Sequence, residues 1–182
     1  MFEVNRKLIH IVGFCVPFSY FFLSRQVLIP ICGVICFCSI VIEVTRFHSP
    51  RFNTFLFRII GQFTRDREQQ GITGATYYFI AAFVSIVCFS RLVAIAGMFF
   101  LVMGDSAAAV VGTRFGTHAV GEKSLEGSLA CLTVCSVIGG ILLGWTGLLG
   151  AVIATLIELA PLPVDDNLRI PLLSGFIMHI VS

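Results

Sequence analysis

Seven apolar runs, separated by short polar joints, limit what this chain can become. They are Leu8–Ser24, Val27–Val44, Thr73–Ser90, Leu92–Gly112, Leu125–Trp145, Gly147–Ala160 and Ile170–Ser182. A helix needs ~20 apolar residues, with a usual range of ~17–25, to cross a bilayer. The first five runs meet that length. The sixth is short, and the seventh, at ~1.5 Å per residue, crosses only part of a ~30 Å hydrocarbon core unless it begins earlier, near Asn167. Irregular backbone is tolerated at membrane depth only where it lines a cavity, so the runs are read as helices. The expected fold class is all-α: a polytopic membrane helix bundle with about seven transmembrane helices, six if the last dips partway. It forms one domain over residues 1–182.

Composition agrees. The chain is 57% hydrophobic and 12% charged, with mean hydropathy +0.98. A soluble domain is about 45–50% apolar and ~25% charged, so this chain has too little polar surface to cover a water-exposed globule. The formal charge of +2 argues against a nucleic-acid partner. All seven cysteines lie in or beside apolar runs and read as buried free thiols rather than disulfides or zinc ligands. The first run follows Arg6-Lys7 in the manner of a signal peptide, but Phe21-Phe22-Leu23-Ser24-Arg25 offers no small-x-small cleavage site, so it is read as a retained span.

Charge is unevenly placed. If the N-terminus is cytoplasmic, Arg6, Lys7, Arg46, Arg51, Arg58, Arg65, Arg67, Arg114, Lys123 and Arg169 share that side, and only Arg25 and Arg91 lie opposite. This is a strong positive-inside signal. The acids follow the same division, as suits a protein that handles a charged cytoplasmic ligand. Within the joint 46–70, Phe52, Phe55, Leu56, Ile59, Ile60 and Phe63 repeat at helical spacing, with Asn53, Thr54, Arg58 and Gln62 opposite. This predicts an amphipathic helix lying on the cytoplasmic leaflet. Gly139-Gly140-x-x-x-Gly144 and Gly147-x-x-Gly150 mark surfaces where helices approach closely.

Asp105 is the residue least expected in such surroundings. A carboxylate inside a membrane-grade run costs at least ~2.5–3.5 kcal/mol on insertion scales and marks a candidate functional site. Asp105, Ala109 and Gly112 share one helix face, which offers a carboxylate and then almost no side-chain bulk. Asp105 lies about two turns from the cytoplasmic end, or ~10 Å, a depth that water and a metal reach only through a polar cavity. Gly104 permits a local break there. The competing reading is an acid that pairs with Arg114 or Arg169 purely to hold the bundle.

A glycine-punctuated loop follows, Gly112-Thr113-Arg114-Phe115-Gly116-Thr117-His118-Ala119-Val120-Gly121-Glu122-Lys123-Ser124. It ends at a predicted helix start, where free N–H groups favour anions. Ser124 suits an N-cap, Lys123 suits a phosphate, and Arg114 supplies a second cation. The pattern is not a Walker A motif. Glu126 either favours the first helical turn electrostatically or serves as a Mg²⁺ ligand beside Asp105, since Mg²⁺ is held by hard oxygens and substrate phosphates. Asp165-Asp166-Asn167 either caps a last helix with Pro171 near its first turn, completes the metal site, or takes a proton from an acceptor hydroxyl. No zinc spacing of histidines and no serine-hydrolase motif occurs.

The ordered set Arg6-Lys7-x-x-His10, Arg67-Glu68 before Gly74-Ala75-Thr76-Tyr77-Tyr78, Gly104-Asp105-x-x-Ala108-x-x-x-Gly112-x-x-x-Gly116, Lys123-Ser124-x-Glu126-Gly127-Ser128 and Asp166-Asn167-x-x-x-Pro171 resembles a known family. It is that of the dolichol kinases, phytol kinases and CTP-dependent diacylglycerol kinases, related to the CDP-diacylglycerol synthases. The resemblance runs over nearly the whole chain, and the Lys-Ser-x-Glu-Gly-Ser block is its most specific part. It implies a multi-helix membrane enzyme that uses a nucleoside triphosphate, often CTP, on a lipid.

The expectation is therefore a Mg²⁺-dependent lipid kinase with its active site on the cytoplasmic side. Its catalytic group is Asp105, Lys123, Glu126 and Asp166. The metal ligands are Asp105, Glu126 and Asp166, and the nucleotide contacts are Gly104, Gly112, Arg114, Gly116, Lys123 and Ser124. The acceptor is a lipid hydroxyl, as in diacylglycerol or a polyprenol. The alternative reaction is phosphatidate cytidylyl transfer, although the serine-lysine-arginine and histidine-glycine-glycine signature of CDP-diacylglycerol synthases is missing. A small transporter or membrane scaffold is the non-enzymatic alternative.

Overall fold

The computed structural model describes residues 13–182 other than 62, 63, 65, 122 and 162. Arg6, Lys7, His10, Phe63 and Glu122 therefore lie outside the described residues. Residues 13–19 are helical (α1). They are followed by α2 (Arg25–His48), α3 (Pro50–Ile60), a 3₁₀ turn at Asp66–Gln69, α4 (Gly74–Cys88) and α5 (Arg91–Phe99). A π-helical turn over Phe100–Asp105 joins α5 to α6 (Ser106–Phe115). Strands β1 (Ala119–Val120) and β2 (Lys123–Ser124) precede α7 (Leu125–Leu143), α8 (Trp145–Leu159) and α9 (Asp166–Val181).

Each predicted apolar run contains a helix, and among the described residues the bundle is all-α except for one small hairpin. Among the described residues, three helices are long and apolar enough to cross a membrane: Arg25–His48, the continuous Arg91–Phe115 and Leu125–Leu143. α4 and α8 are shorter, with 15 residues each, or ~22 Å of helix. The last helix begins at Asp166, earlier than its apolar run, because the Asp165 side chain accepts a hydrogen bond from the Asn167 amide and caps the end.

α5 and the π turn run through the middle of the bundle. Val93, Ala94, Ile95, Ala96, Met98 and Phe100 are fully buried. α9 closes on α5 where Gly97 faces Pro171, and a Cβ at Gly97 would lie 2.9 Å from the Pro171 carbonyl oxygen. Gly139 and Gly147 meet backbone to backbone between α7 and α8, where a Cβ on either would fall within 2.3 Å of the other's carbonyl oxygen. The glycine spacing read as a close-packing surface has that role here.

α3 follows α2 after Ser49 alone, whose hydroxyl accepts from the Phe52 amide. It has no buried residue, and Phe55 and Ile59 are well exposed. This is the expected amphipathic helix, although it ends at Ile60.

The ends of the elements sort into two groups. At one end, Arg91 donates to the carbonyls of Tyr20 (2.8 Å) and Phe21 (2.7 Å), and Arg25 donates to that of Val87. These two arginines cap helix ends that lack partners for their last carbonyls. At the other end gather residues 69–73, the β1–β2 hairpin, and the joint between α8 and α9.

Candidate functional site

A cleft of about 880 Å³ opens at this second end. Its charged walls are Glu68, Lys123, Asp165, Asp166 and Arg169, and its apolar walls include Ile72, Tyr77, Leu159 and Val164. Residues far apart in sequence meet here. Gly74, the first residue of α4, lies so close to α9 that a Cβ would be 2.6 Å from Asn167 Nδ2 and 3.5 Å from Glu68 Oε1. The Glu68–Gly74, Lys123 and Asp166-Asn167 blocks thus border one cleft. Two helix N-termini, those of α4 and α9, reach its rim, and such termini favour anions.

Lys123 is the centre of the charge arrangement. It lies on β2, held by pairing of Val120 with Lys123 and Ala119 with Ser124. Gly121, with φ +62°, supplies the left-handed turn that closes the hairpin, a conformation that costs glycine little. The Lys123 ammonium lies 2.9 Å from Glu158 Oε1 and 3.0 Å from Asp166 Oδ2, and it also donates to the Glu158 carbonyl. Burial works against its charge. The hydrogen bond to Glu158 and the charges of Asp166 and Glu158 outweigh that and hold its pKa above the ordinary lysine value. The other Asp166 oxygen pairs with Arg169, and Arg169 also donates to the Ala160 carbonyl. Its buried Nε has no hydrogen-bond partner among the described residues.

Glu158 lies near the end of α8 and belongs to none of the sequence motifs. In the fold it is 3% exposed, carries the Lys123 pair, and accepts from Ser128 Oγ at 3.2 Å. An acid near the end of an apolar helix was its only signal. Its partner, 35 residues away, is invisible to local patterns.

Ser124 is the expected N-cap of α7, accepting from the Gly127 amide at 3.1 Å. Glu126 occupies the first turn of α7 and turns to the loop. It accepts from Thr117 Oγ1 (2.6 Å) and from the His118 amide (3.2 Å), and lies 2.7 Å from His118 Nδ1. Arg114, exposed at the end of α6, places its guanidinium 5.7 Å from the Phe115 ring centroid. Arg169 has Asp166 as its carboxylate partner.

The glycines singled out for a nucleotide lie against α7. A Cβ at Gly104 would lie 2.4 Å from Cys135 Sγ, one at Gly112 would be 2.8 Å from Ser124 Oγ, and one at Gly116 would be 2.9 Å from the same hydroxyl. These contacts define how α6 lies along α7: Gly112 faces Ser124 and Gly127, and Gly104 faces Cys131 and Cys135. Asp105 therefore sits near the level of Cys131, about one turn past Ser128. Gly104 does not break the helix. Instead a π turn ends at Asp105, and such turns occur frequently at functional sites. The helix continues to Phe115, which puts Asp105 ~15 Å from its end rather than ~10 Å. Asp105, Glu126 and Asp166 are not assembled as one metal cage. Among the described residues, no group of three or more His, Cys, Asp or Glu side chains is placed to hold a metal ion.

No protein-family profile matches the chain, and no solved structure does. Among characterised proteins, it is 31% identical to CTP-dependent diacylglycerol kinase 1 of Eremothecium gossypii over 78% of this chain, spanning 55% of that protein. It is 29% identical to CTP-dependent diacylglycerol kinase 1 of Saccharomyces cerevisiae over 98% of this chain and 73% of that protein. An uncharacterised protein of Rickettsia prowazekii is 24% identical over 94% of this chain and 90% of its own length. Helical architecture, the ordered motif blocks and these relatives agree: over most of its length the chain is similar to the CTP-dependent diacylglycerol kinases.

Proposed function

We propose that this protein is a CTP-dependent kinase of a membrane lipid, with diacylglycerol as the acceptor. One observation carries the reading. In a chain similar to CTP-dependent diacylglycerol kinases, the Glu68–Gly74, Lys123 and Asp166-Asn167 blocks border a single cleft. We place the cleft and the N-terminus on the cytoplasmic side of a bundle of about seven spans, following the distribution of basic residues.

In this reading Lys123 binds the triphosphate, with Arg114 as a second cation. The buried Arg169 Nε is a donor that a phosphate oxygen would satisfy. The acceptor hydroxyl oxygen attacks the γ-phosphorus, the bond to the β–γ bridging oxygen breaks, and CDP leaves. The hydroxyl proton passes to a carboxylate or to water. Positioning and charge neutralisation supply the rate, as is general for phosphoryl transfer.

The cleft's walls carry three carboxylates against two cations, so a nucleotide anion is better received with a divalent cation than alone. Mg²⁺ usually takes one or two carboxylates and completes its shell with water and phosphate oxygens. Single carboxylates at a phosphate site fit that ion without a cage. We assign Asp105 to it, with Asp166 or Glu126 assisting, where Mg²⁺ would neutralise charge on the phosphates.

The test uses purified protein in diacylglycerol mixed micelles with CTP labelled at the γ- or the α-phosphorus. Label in the lipid from γ-CTP alone is expected. Transfer from α-CTP would instead mean cytidylyl transfer. With neither label, and no protection by CTP against thermal unfolding, the enzymatic reading would be lost.

A further inference from the structure

Glu43 and Arg46 lie near the end of α2 and are not among the residues that line the cleft. Both are buried, and the Arg46 side chain is wholly so. Carboxylate and guanidinium are 2.6 Å apart. A buried ion pair is weak evidence for stability, because well-packed apolar replacements are often as good or better. What distinguishes this pair is the backbone it holds.

Arg46 Nη1 donates to Asn53 Oδ1 and to the Gln69 carbonyl, each at 3.3 Å, and Nη2 donates to the Gly71 carbonyl. Asn53 Nδ2 donates to the same Gln69 carbonyl at 3.3 Å. Glu43 Oε1 accepts from the Thr73 amide (2.9 Å), Thr73 Oγ1 (2.6 Å) and Thr76 Oγ1 (3.0 Å). The end of α2, the amphipathic helix α3, the segment 69–73 and the start of α4 thus converge on one pair. Gly71, Ile72 and Tyr77 of those segments line the cleft, as does Glu68, one residue before 69–73.

We propose that Arg46, held by Glu43, is a positioning residue for the cleft: its forked donors fix the Gln69 and Gly71 carbonyls and so set the wall bearing Glu68 and Ile72 opposite Lys123, Asp166 and Arg169. This inference rests on reading the cleft as the nucleotide site. Arginine matters because its rigid fork spans several acceptors, whereas lysine is a point charge. Arg46→Lys keeps a cation beside Glu43 but gives up the fork. A purely structural pair would tolerate Arg46→Lys, or loss of both charges in E43Q/R46M, without any change in nucleotide handling.

The experiment measures thermal unfolding, CTP binding with Mg²⁺, and steady-state kinetics of the full chain in lipid nanodiscs. Arg46→Lys and E43Q/R46M should fold. Their KM for CTP should rise about tenfold or more, the scale of a lost charge-assisted hydrogen bond, while KM for the lipid acceptor stays put. Folded variants with wild-type KM for CTP overturn the inference. If neither folds, Asn53→Ala reads the same wall from the α3 side. A severalfold rise in KM for CTP supports the inference, and an unchanged KM overturns it. Wild-type protein that binds no CTP at all would remove the nucleotide reading of the cleft, and this inference with it.

Discussion

Replacing Lys123 with methionine probes both the stability and the chemistry of the cleft. The lysine side chain is 30% exposed, that of Glu158 4% and that of Asp166 18%. Removing one partner from a buried pair costs about 3–5 kcal/mol, because a charge is left without compensation. Water reaches the lysine end, so we expect about 2–3 kcal/mol here. Adding Glu158→Gln should return most of that loss, since glutamine can still accept from Ser128 Oγ while the stranded charge is gone. The assay is an unfolding titration in mild detergent, run beside transfer of label from γ-CTP. Both variants should lose transfer, but only the single variant should be markedly unstable. A Lys123→Met protein as stable as wild type, or a double variant less stable than the single, would refute the buried-charge argument. Turnover near wild type in either would remove Lys123 from the phosphate site. The pH dependence has a definite sign. Lys123 has a raised pKa in the fold, so its contribution is complete below the unfolded value of about 10.4 and fades only as pH rises through the folded value. The stability gap between wild type and Lys123→Met should therefore stay constant from about pH 6 to 9. A gap that closes near neutrality would point to a different titrating group.

Four further outcomes are expected. Asp105→Asn should abolish lipid phosphorylation while membrane insertion and unfolding midpoint are retained, and surviving activity would remove its metal role. Stripping divalent cations with EDTA should stop transfer, with Mg²⁺ restoring it, and leave the unfolding midpoint unmoved, because no three-ligand cage occurs among the described residues. A midpoint that drops on chelation would reveal a structural metal. Gly139→Ala places a Cβ 2.3 Å from the Gly147 carbonyl oxygen and should cost at least about 1–3 kcal/mol from overpacking. Gly61→Ala, with φ −57° and nothing within 4 Å of its Cβ, should be neutral or stabilising by about 0.4–1 kcal/mol. Equal losses in the two would show that the α7–α8 approach is looser than described.

Much of the architecture was legible in the chain because hydropathy is a local property. Apolar runs predict helices wherever water is absent, since the backbone must satisfy its own hydrogen bonds. The amphipathic α3, the Ser124 cap, the early start of α9 and the glycine contact between α7 and α8 follow from spacing of a few residues. Asp105 stood out for the same reason, as a charge in a run that should hold none. The hairpin of β1 and β2 was not legible, because two-residue strands carry no period.

The tertiary structure alone decided which charges meet. Glu158 with Lys123 is a pairing across 35 residues, and Glu43 with Thr73 one across 30. No local pattern encodes either, because ion pairs between helices depend on how the helices cross. The same packing fixes where the candidate nucleotide glycines lie. Gly104, Gly112 and Gly116 let α6 close on α7, while the cleft is built from the loop lysine and the starts of α4 and α9. A glycine reads the same in sequence whether it admits a phosphate or a neighbouring helix, and only the neighbour's position in space distinguishes them.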